Sequence, residues 1–439
     1  MFSIIAASDL NNGIGKNNKL AWYIKKDLQF FKNKTLNNIV IMGRKTYESV
    51  GMLKNRFTIV ISKQEMHNPP SYKTLNDALT HINDIDEIKN KHIYIIGGEM
   101  LFKEAIKDPR CKDIYLTKVY KVYNCDRYFP EIPNTFKEVE FDEKIYNEND
   151  INFSFHFYKK KPHQEYEYIN LLRTILLNGK LSKDRTKIGT KRIFGHRMEF
   201  NLEKEFPLIT IRKTFWKGIV EELLFFIKGK TDTKILEEKG VKIWKGNTTR
   251  EFLDNRGLTH LNEGDMGKGY GYQWRKFNDS VDQLKQVIQD IKNNSTSRRL
   301  IVSAWNPKQL KECALPPCHI LFQFFVQDGK LSCQLYQRSA DVVLGVPFNI
   351  ASYSLLTCII AKCCDLKPGK FIHITGDTHI YNNHLKKLDK LICRKPYPFP
   401  KLTIEKDLSS VKDIEKLTFE DFKLTEYRHH KFMRFEMAV

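Results

Sequence analysis

Ala314-Leu315-Pro316-Pro317-Cys318-His319, with Gln337-Arg338-Ser339-Ala340-Asp341 and Pro347-Phe348-Asn349-Ile350-Ala351 downstream, is the most telling part of this chain. It sets a cysteine behind a rigid proline pair and supplies an arginine and an amide after it. A thiol is a nucleophile only as its thiolate, so a cysteine beside cations differs in kind from one in a core. A lone strand cysteine is ordinarily a small buried hydrophobe. The other eight of the nine cysteines lack such a setting.

At 439 residues the chain exceeds one ordinary core, and two or three domains are expected. Apolar residues at 41% and aromatics at 12% allow real cores. The cysteines form no CxxC pair, and no metal site is expected. Their odd number, and a start that runs through apolar residues into Asp9 without a basic leader, point to a reducing, cytoplasmic compartment. The net charge of +21 invites a nucleic-acid reading. Its lysines are scattered, however, with short clusters such as Lys159-Lys160-Lys161 and no nucleic-acid module, so the surplus reads as solvated surface and sites for anionic small molecules. No membrane partner is expected: the most apolar run, residues 350–361, is interrupted by Ser352, Tyr353, Ser354 and Thr357.

Strand-like runs at residues 2–8, 38–43, 57–62 and 92–97 alternate with helical patterns at 25–34, 75–83 and 99–107. That alternation predicts an α/β unit, a mostly parallel sheet with flanking helices. Runs at 114–119, 136–141 and 152–158 follow without helices between them, predicting an antiparallel edge. Proline after the Lys159–Lys161 cluster marks a short seam, giving domains 1–161 and 162–439. The second half mixes helices at 165–177, 216–228, 281–293, 350–364 and 381–392 with strands at 192–201, 300–304, 319–326, 330–338 and 371–375, an α+β unit.

In the first half, Asp27 and Phe31 fall on one helical face, although a first-turn aspartate also suits the helix dipole. Gly97-Gly98 lies between a strand and a helix, where backbone N–H groups can approach a pyrophosphate. A tight turn alone would also need glycine. With Ile14-Gly15, Leu20-Ala21-Trp22, Val40-Ile41-Met42-Gly43-Arg44-Lys45-Thr46, Ile96-Gly97-Gly98-Glu99 and Asp126-Arg127-Tyr128-Phe129-Pro130, in this order, residues 1–161 resemble dihydrofolate reductases. The resemblance implies that Asp27 holds the pterin and assists its protonation. It places Ile5, Phe31 and Arg56 at folate. It assigns an NADPH site to Ala7, Ile14, Gly15, Gly43, Arg44, Lys45, Thr46, Ser62, Lys63, Gly97, Gly98, Glu99 and Phe102, with the cations favouring a 2′-phosphate. Ala21 stands where the family has proline, predicting a looser substrate loop, and Asn55 stands where glycine is usual.

The second half carries Asp184-Arg185-Thr186, Phe206-Pro207-Leu208, Glu221-Glu222-Leu223-Leu224, Tyr270-Gly271-Tyr272-Gln273-Trp274-Arg275, Ser297-Arg298-Arg299, Gly345-Val346-Pro347-Phe348-Asn349, Gly376-Asp377-Thr378-His379-Ile380-Tyr381 and Glu436-Met437-Ala438-Val439. With the cysteine motif, these make residues 164–439 similar to thymidylate synthases. The resemblance implies that Cys318 adds to carbon 6 of dUMP, its pKa lowered by a neighbouring Arg338. Glu222 would centre a proton relay and Tyr270 would help remove the C5 proton. Arg185, Arg338, Ser339 and Gln337 would bind dUMP, with Arg298 and Arg299 of the partner subunit, so a homodimer through this domain is expected. Asn349 would read the uracil edge, and His379 and Tyr381 the ribose. Trp244, Asn247, Asp341 and Val439 would line the site of 5,10-methylenetetrahydrofolate, Asp341 also serving dUMP. Ala340 replaces the cysteine common in the Gln337–Asp341 motif, and Lys245 an acidic residue. Lys268-Gly269 replaces Pro-Val before Tyr270, which predicts a more flexible backbone there.

Fusion would keep dihydrofolate, the product of methylation, near the unit that reduces it. Two rival readings remain in the sequence. One is a synthase with a purely structural reductase domain, opposed by Asp27, Arg44 and Gly97-Gly98. The other is a nucleic-acid binder on a retired scaffold, opposed by Cys318 and Glu222.

Overall fold

The computed structural model describes all residues except 83, 84, 86, 89, 134, 140–143, 185, 438 and 439. The chain folds as two compact units, Met1–Pro162 and His163–Val439.

In the first unit Phe2–Ser8 is the centre of a nine-stranded sheet among the described residues. Phe2, Ile4, Ile39, Ile41, Ile95 and Ile114 are buried in its core. Ile93–Gly97, Ile39–Gly43, Phe57–Ile61 and Ser71–Tyr72 extend the sheet in parallel on one side. On the other side the antiparallel edge begins later than the sequence suggests. Cys111–Val119 still runs parallel to Phe2–Ser8, and only Ile151–Lys160 reverses, with Phe136–Val139 and Tyr146–Glu148 antiparallel to it. Helix Glu99–Ala105 precedes Cys111–Val119 and makes it the last crossover strand. The expected ends of the 75–83 helix and the 136–141 strand lie partly outside the described residues.

Asn55, at the position where glycine is usual, has φ 59°. Asparagine tolerates that left-handed conformation, so the turn keeps its shape without glycine.

The second unit is built on a six-stranded mixed sheet whose order puts Lys367–Tyr381 between Thr190–Asn201 and Lys330–Asp341. Asp328-Gly329, both at positive φ, turn His319–Gln327 back into Lys330–Asp341 as a tight hairpin. Lys367–Tyr381 is much longer than the expected 371–375, because its first residues pair with Lys330 and Leu331 despite Pro368. Helix Gly345–Cys363 also starts earlier than expected: Pro347 falls in its first turn, where a missing N–H costs nothing. Its 19 residues are long and apolar enough to span a bilayer, but 89% of the relevant window is buried inside the unit.

Candidate active sites

Asp27 is the third residue of helix Lys25–Thr35. The N–H groups of Lys25 and Lys26 donate to the Glu148 carboxylate at 2.6 and 3.1 Å, so Asp27 is not spent on capping the helix. Its Oδ1 accepts the Thr117 hydroxyl at 2.6 Å. Burial pushes its pKa up to about 6, the Thr117 bond opposing the shift. One turn on, the Phe31 ring lies 5.8 Å from the Arg56 guanidinium, which is held by Thr35 Oγ1 at 2.9 Å and Lys54 O at 3.0 Å. Ile5 is buried in the central strand. A carboxyl that titrates near neutrality, an aromatic face and a cation thus lie along one helix.

A cleft of about 1260 Å³ opens in the same unit. It is lined by Ala7, Ile14, Gly15, Gly43, Arg44, Lys45, Thr46, Ser62, Lys63, Gly97, Gly98, Glu99 and Phe102, all thirteen of the residues that the reductase resemblance assigns to NADPH. A Cβ on Gly98 would stand 3.1 Å from Thr46 Oγ1, and one on Gly15 would stand 2.6 Å from Lys19 O. Glycine thus leaves room for the close approach of Lys19 O at Gly15 and of Thr46 at Gly98. Lys19, Lys103 and Lys107, which no motif marks, also line the cleft, as does Arg127 of the Asp126–Pro130 motif. With Arg44, Lys45 and Lys63, seven cations face two carboxylates, Glu99 and Glu104. Arg44 is ion-paired to Glu48, and Lys103 to Glu99 at 2.5 Å. Small backbone, a basic rim and two strand-to-helix turns suit an elongated polyanion.

The loop carrying Ile14 and Gly15 has an anchor that no sequence motif marks. Asp9 is 3% exposed. It accepts the N–H groups of Asn11 (2.9 Å), Gly13 (2.6 Å) and Tyr123 (2.9 Å). Asp126 Oδ2 accepts Asn17 N–H at 3.1 Å. These bonds tie down the loop before Ala21.

In the second unit the proline pair delivers Cys318 to the head of strand His319–Gln327, where it is half-buried. The Cys318 N–H donates to Tyr270 Oη at 3.0 Å. Tyr270 has φ 43°, a conformation that costs a bulky residue about 1–3 kcal/mol. Its ring stacks on Phe226 at 5.0 Å and 6°. Trp244 and His319 meet it edge-on at 5.4 and 5.5 Å. Trp244 Nε1 in turn donates to Glu222 Oε1 at 2.8 Å.

The electrostatics follow from this crowding. Glu222 keeps some accessible surface, but protein packs around its carboxylate and burial pushes its pKa up to about 7, the Trp244 bond opposing. Burial, and then the proximity of Cys318, drive the Tyr270 hydroxyl well above its ordinary value. His319 is pushed down to about 4 by burial, against a hydrogen-bonding contact from Asn349, so its ring is neutral.

Strand pairing sets Gln337 beside His319, Ser339 beside Asp377 and Asp341 beside His379. Arg338 N–H donates to Cys318 O at 2.9 Å, so the arginine is a neighbour of the thiol. Its guanidinium does not hydrogen-bond to the thiol: Nε and Nη2 donate to Pro317 O (3.0 Å) and Pro316 O (2.8 Å), bracing the proline turn. Gln337 is buried and accepts from His373 Nε2 at 2.8 Å. Asp341 caps the turn into the long helix through the N–H groups of Val343 and Leu344. His379 meets Asp377 Oδ1 at 3.0 Å and the Tyr381 ring edge at 5.3 Å. Asn349 is nearly buried on the helix, and Asn247 is half-buried beyond Trp244.

Arg298 and Arg299 are exposed and are not gathered to Cys318 of their own chain. Phe324 N–H bonds to Leu300 O, and Phe324 lies six residues along the strand from Cys318, roughly 20 Å at ~3.3 Å per residue. Arg185 and Val439 lie outside the described residues. Among the described residues no group of three or more His, Cys, Asp or Glu is arranged to hold a metal ion.

Comparison with known families and proteins agrees with these two constellations. The family model described as dihydrofolate reductase matches residues 1–160, and that described as thymidylate synthase matches 166–439. The bifunctional dihydrofolate reductase-thymidylate synthase of Paramecium tetraurelia is 45% identical over 465 residues, covering 100% of this chain and 99% of that protein. One from Arabidopsis thaliana is 40% identical over 503 residues, covering 100% of this chain and 88% of its own length. That of Plasmodium chabaudi is 38% identical, covering 92% and 84%. Two separately built sites, and similarity along the entire length to proteins that join both, lead to one conclusion: the chain belongs to the bifunctional dihydrofolate reductase-thymidylate synthase family.

Proposed function

We propose that the first unit reduces dihydrofolate with NADPH and that the second methylates dUMP to dTMP with 5,10-methylenetetrahydrofolate. In the first unit Asp27, with a pKa of about 6, holds the pterin edge and keeps a proton available for the ring nitrogen. Arg56, beside Phe31, takes the glutamate carboxylate of the substrate. The cleft residues hold NADPH, which supplies the hydride when bound. Gly97, Gly98, Gly43 and the helix starts beside them receive the pyrophosphate, and Arg44, Lys45 and Lys63 the 2′-phosphate.

In the second unit the Cys318 sulfur adds to carbon 6 of dUMP, forming a C–S bond and turning carbon 5 into an enolate nucleophile. Tyr270, whose hydroxyl accepts the Cys318 N–H, helps to remove the C5 proton. Glu222, titrating near neutrality, relays protons to the uracil. Asn349 reads the uracil edge, and His379 and Tyr381 the ribose. Arg338 and Ser339 take the phosphate with Arg185, joined by Arg298 and Arg299 of the partner subunit, so the assembly is a homodimer. Trp244, Asn247, Asp341 and Val439 border the folate. We also place the protein in the cytoplasm, a reading that rests on its cysteine pattern.

The observation that carries this reading is the chain of contacts from Cys318 through Tyr270 and Trp244 to Glu222. The test assays both reactions in the wild-type, Cys318→Ser and Asp27→Asn proteins. The first variant is expected to lose only methylation and the second only reduction. Methylation surviving in Cys318→Ser would sink the assignment.

A further inference from the structure

Tyr270 needs a support of its own. It sits at φ 43°, on a loop whose usual proline is replaced by Lys268. Lys268 Nζ reaches Asp279 Oδ1 at 3.0 Å and Glu312 Oε2 at 2.9 Å. Its N–H donates to Glu312 O at 3.0 Å, and its carbonyl accepts Gln273 Nε2 at 2.7 Å. Asp279 also accepts the Tyr272 hydroxyl at 2.6 Å and Gln309 Nε2 at 3.0 Å. A Cβ on Gly267 would fall 2.1 Å from Glu312 O, so the two backbones are in direct contact.

Glu312 ends the 3-10 helix Pro307–Glu312, six residues before Cys318. Asp279 lies just past helix Gly271–Lys276, which begins immediately after Tyr270. We propose that Lys268, Glu312 and Asp279 form an ionic clamp that fixes the Tyr270 loop to the segment leading into Cys318, making Lys268 a positioning residue for methyl transfer. The inference rests on the reading of Cys318 and Tyr270 given above and adds to it a group remote from substrate. The clamp replaces the stiffness of a proline with charge. Lys268 is 29% exposed, Glu312 42% and Asp279 54%, so the clamp is open to screening by salt.

The test uses the full-length protein, with reduction measured in the same samples as an internal control. Lys268→Met is expected to lower kcat for methylation about tenfold, to leave KM for dUMP within about twofold, and to leave reduction unchanged. Lys268→Arg should recover most of the rate, and Glu312→Gln, which removes one arm, should fall between the two. Rising salt should slow the wild type more than Lys268→Met. In Lys268→Met/Tyr270→Phe the two losses should not add, because the clamp acts only through the tyrosine.

Wild-type kcat in Lys268→Met, equal losses in the Met and Arg variants, or fully additive losses in the double variant would each overturn the clamp. A Tyr270→Phe protein with the wild-type methylation rate would overturn the active-site reading beneath it. The single variant tells the two failures apart.

Discussion

The reductase cleft and the synthase site solve the problem of binding an anion in opposite ways. In the cleft, the thirteen residues that the resemblance assigns to NADPH converge within one unit, with seven cations around glycine-rich backbone. In the second unit Cys318, Tyr270, Trp244 and Glu222 are packed together, but the arginines proposed for the phosphate are not. The Arg338 guanidinium bonds to the carbonyls of Pro316 and Pro317, and Arg298 and Arg299 lie near the far end of the strand that Cys318 heads. Among the described residues the cleft gathers its cations within one chain, whereas Arg298 and Arg299 stay away from Cys318 of their own chain. That contrast is the physical motive for the proposed homodimer.

The sharpest way to break the comparison is at the carboxylates. Both are raised by burial, Asp27 to about 6 and Glu222 to about 7. If Glu222 relays protons, Glu222→Gln should cut methylation about 10²–10³-fold while NADPH oxidation with dihydrofolate stays at the wild-type rate. Parallel rates in both assays would decide it.

A synthase site completed by the partner subunit predicts complementation. Arg298→Ala/Arg299→Ala and Cys318→Ser proteins should each be nearly inactive in methylation. Dissociated and reassociated together at equal amounts, they should regain about one quarter of the wild-type activity, since half of the random dimers are mixed and each mixed dimer has one whole site. No recovery would mean that the arginines do not act in trans.

Asp27 offers a smaller, graded effect. If its protonated form supplies the proton, kcat/KM for reduction should fall about tenfold per pH unit above about 6. Stability has the same sign. The folded state binds this proton more tightly than the unfolded state, so the contribution present below 3.8 is lost as pH rises through about 6. Asp27→Asn should therefore melt higher than wild type above pH 7, as calorimetry would show. Gly98→Ala is the mildest case. Its Cβ would sit 3.1 Å from Thr46 Oγ1, and KM for NADPH should rise about fivefold, roughly 1 kcal/mol, with KM for dihydrofolate unmoved.

Residues that contribute a chemical type at a motif position are legible from the amino-acid order: Asp27, Cys318, Glu222 and Gly97-Gly98 all are. Their partners are not. Thr117 lies 90 residues from Asp27, and Glu148 caps the Asp27 helix from 123 residues away. Asp9 works through backbone N–H groups, which any residue other than proline supplies and which therefore leave no mark in composition. Cys111–Val119 looks like the start of the antiparallel edge because no helix directly adjoins it. Its crossover is Glu99–Ala105, which in the sequence pairs more naturally with the strand before it.

What the amino-acid order determined alone is the chemistry available and the two folds that carry it, because hydrophobic period, turn glycines and motif residues are local properties. Tertiary structure decided how that chemistry is tuned. It raised two carboxyls by burial, held Tyr270 against Cys318 through an ionic clamp, and turned the Arg338 guanidinium to the proline carbonyls. Each of these depends on which groups the folded chain brings together, and desolvation, charge pairing and hydrogen bonding act only once it has done so.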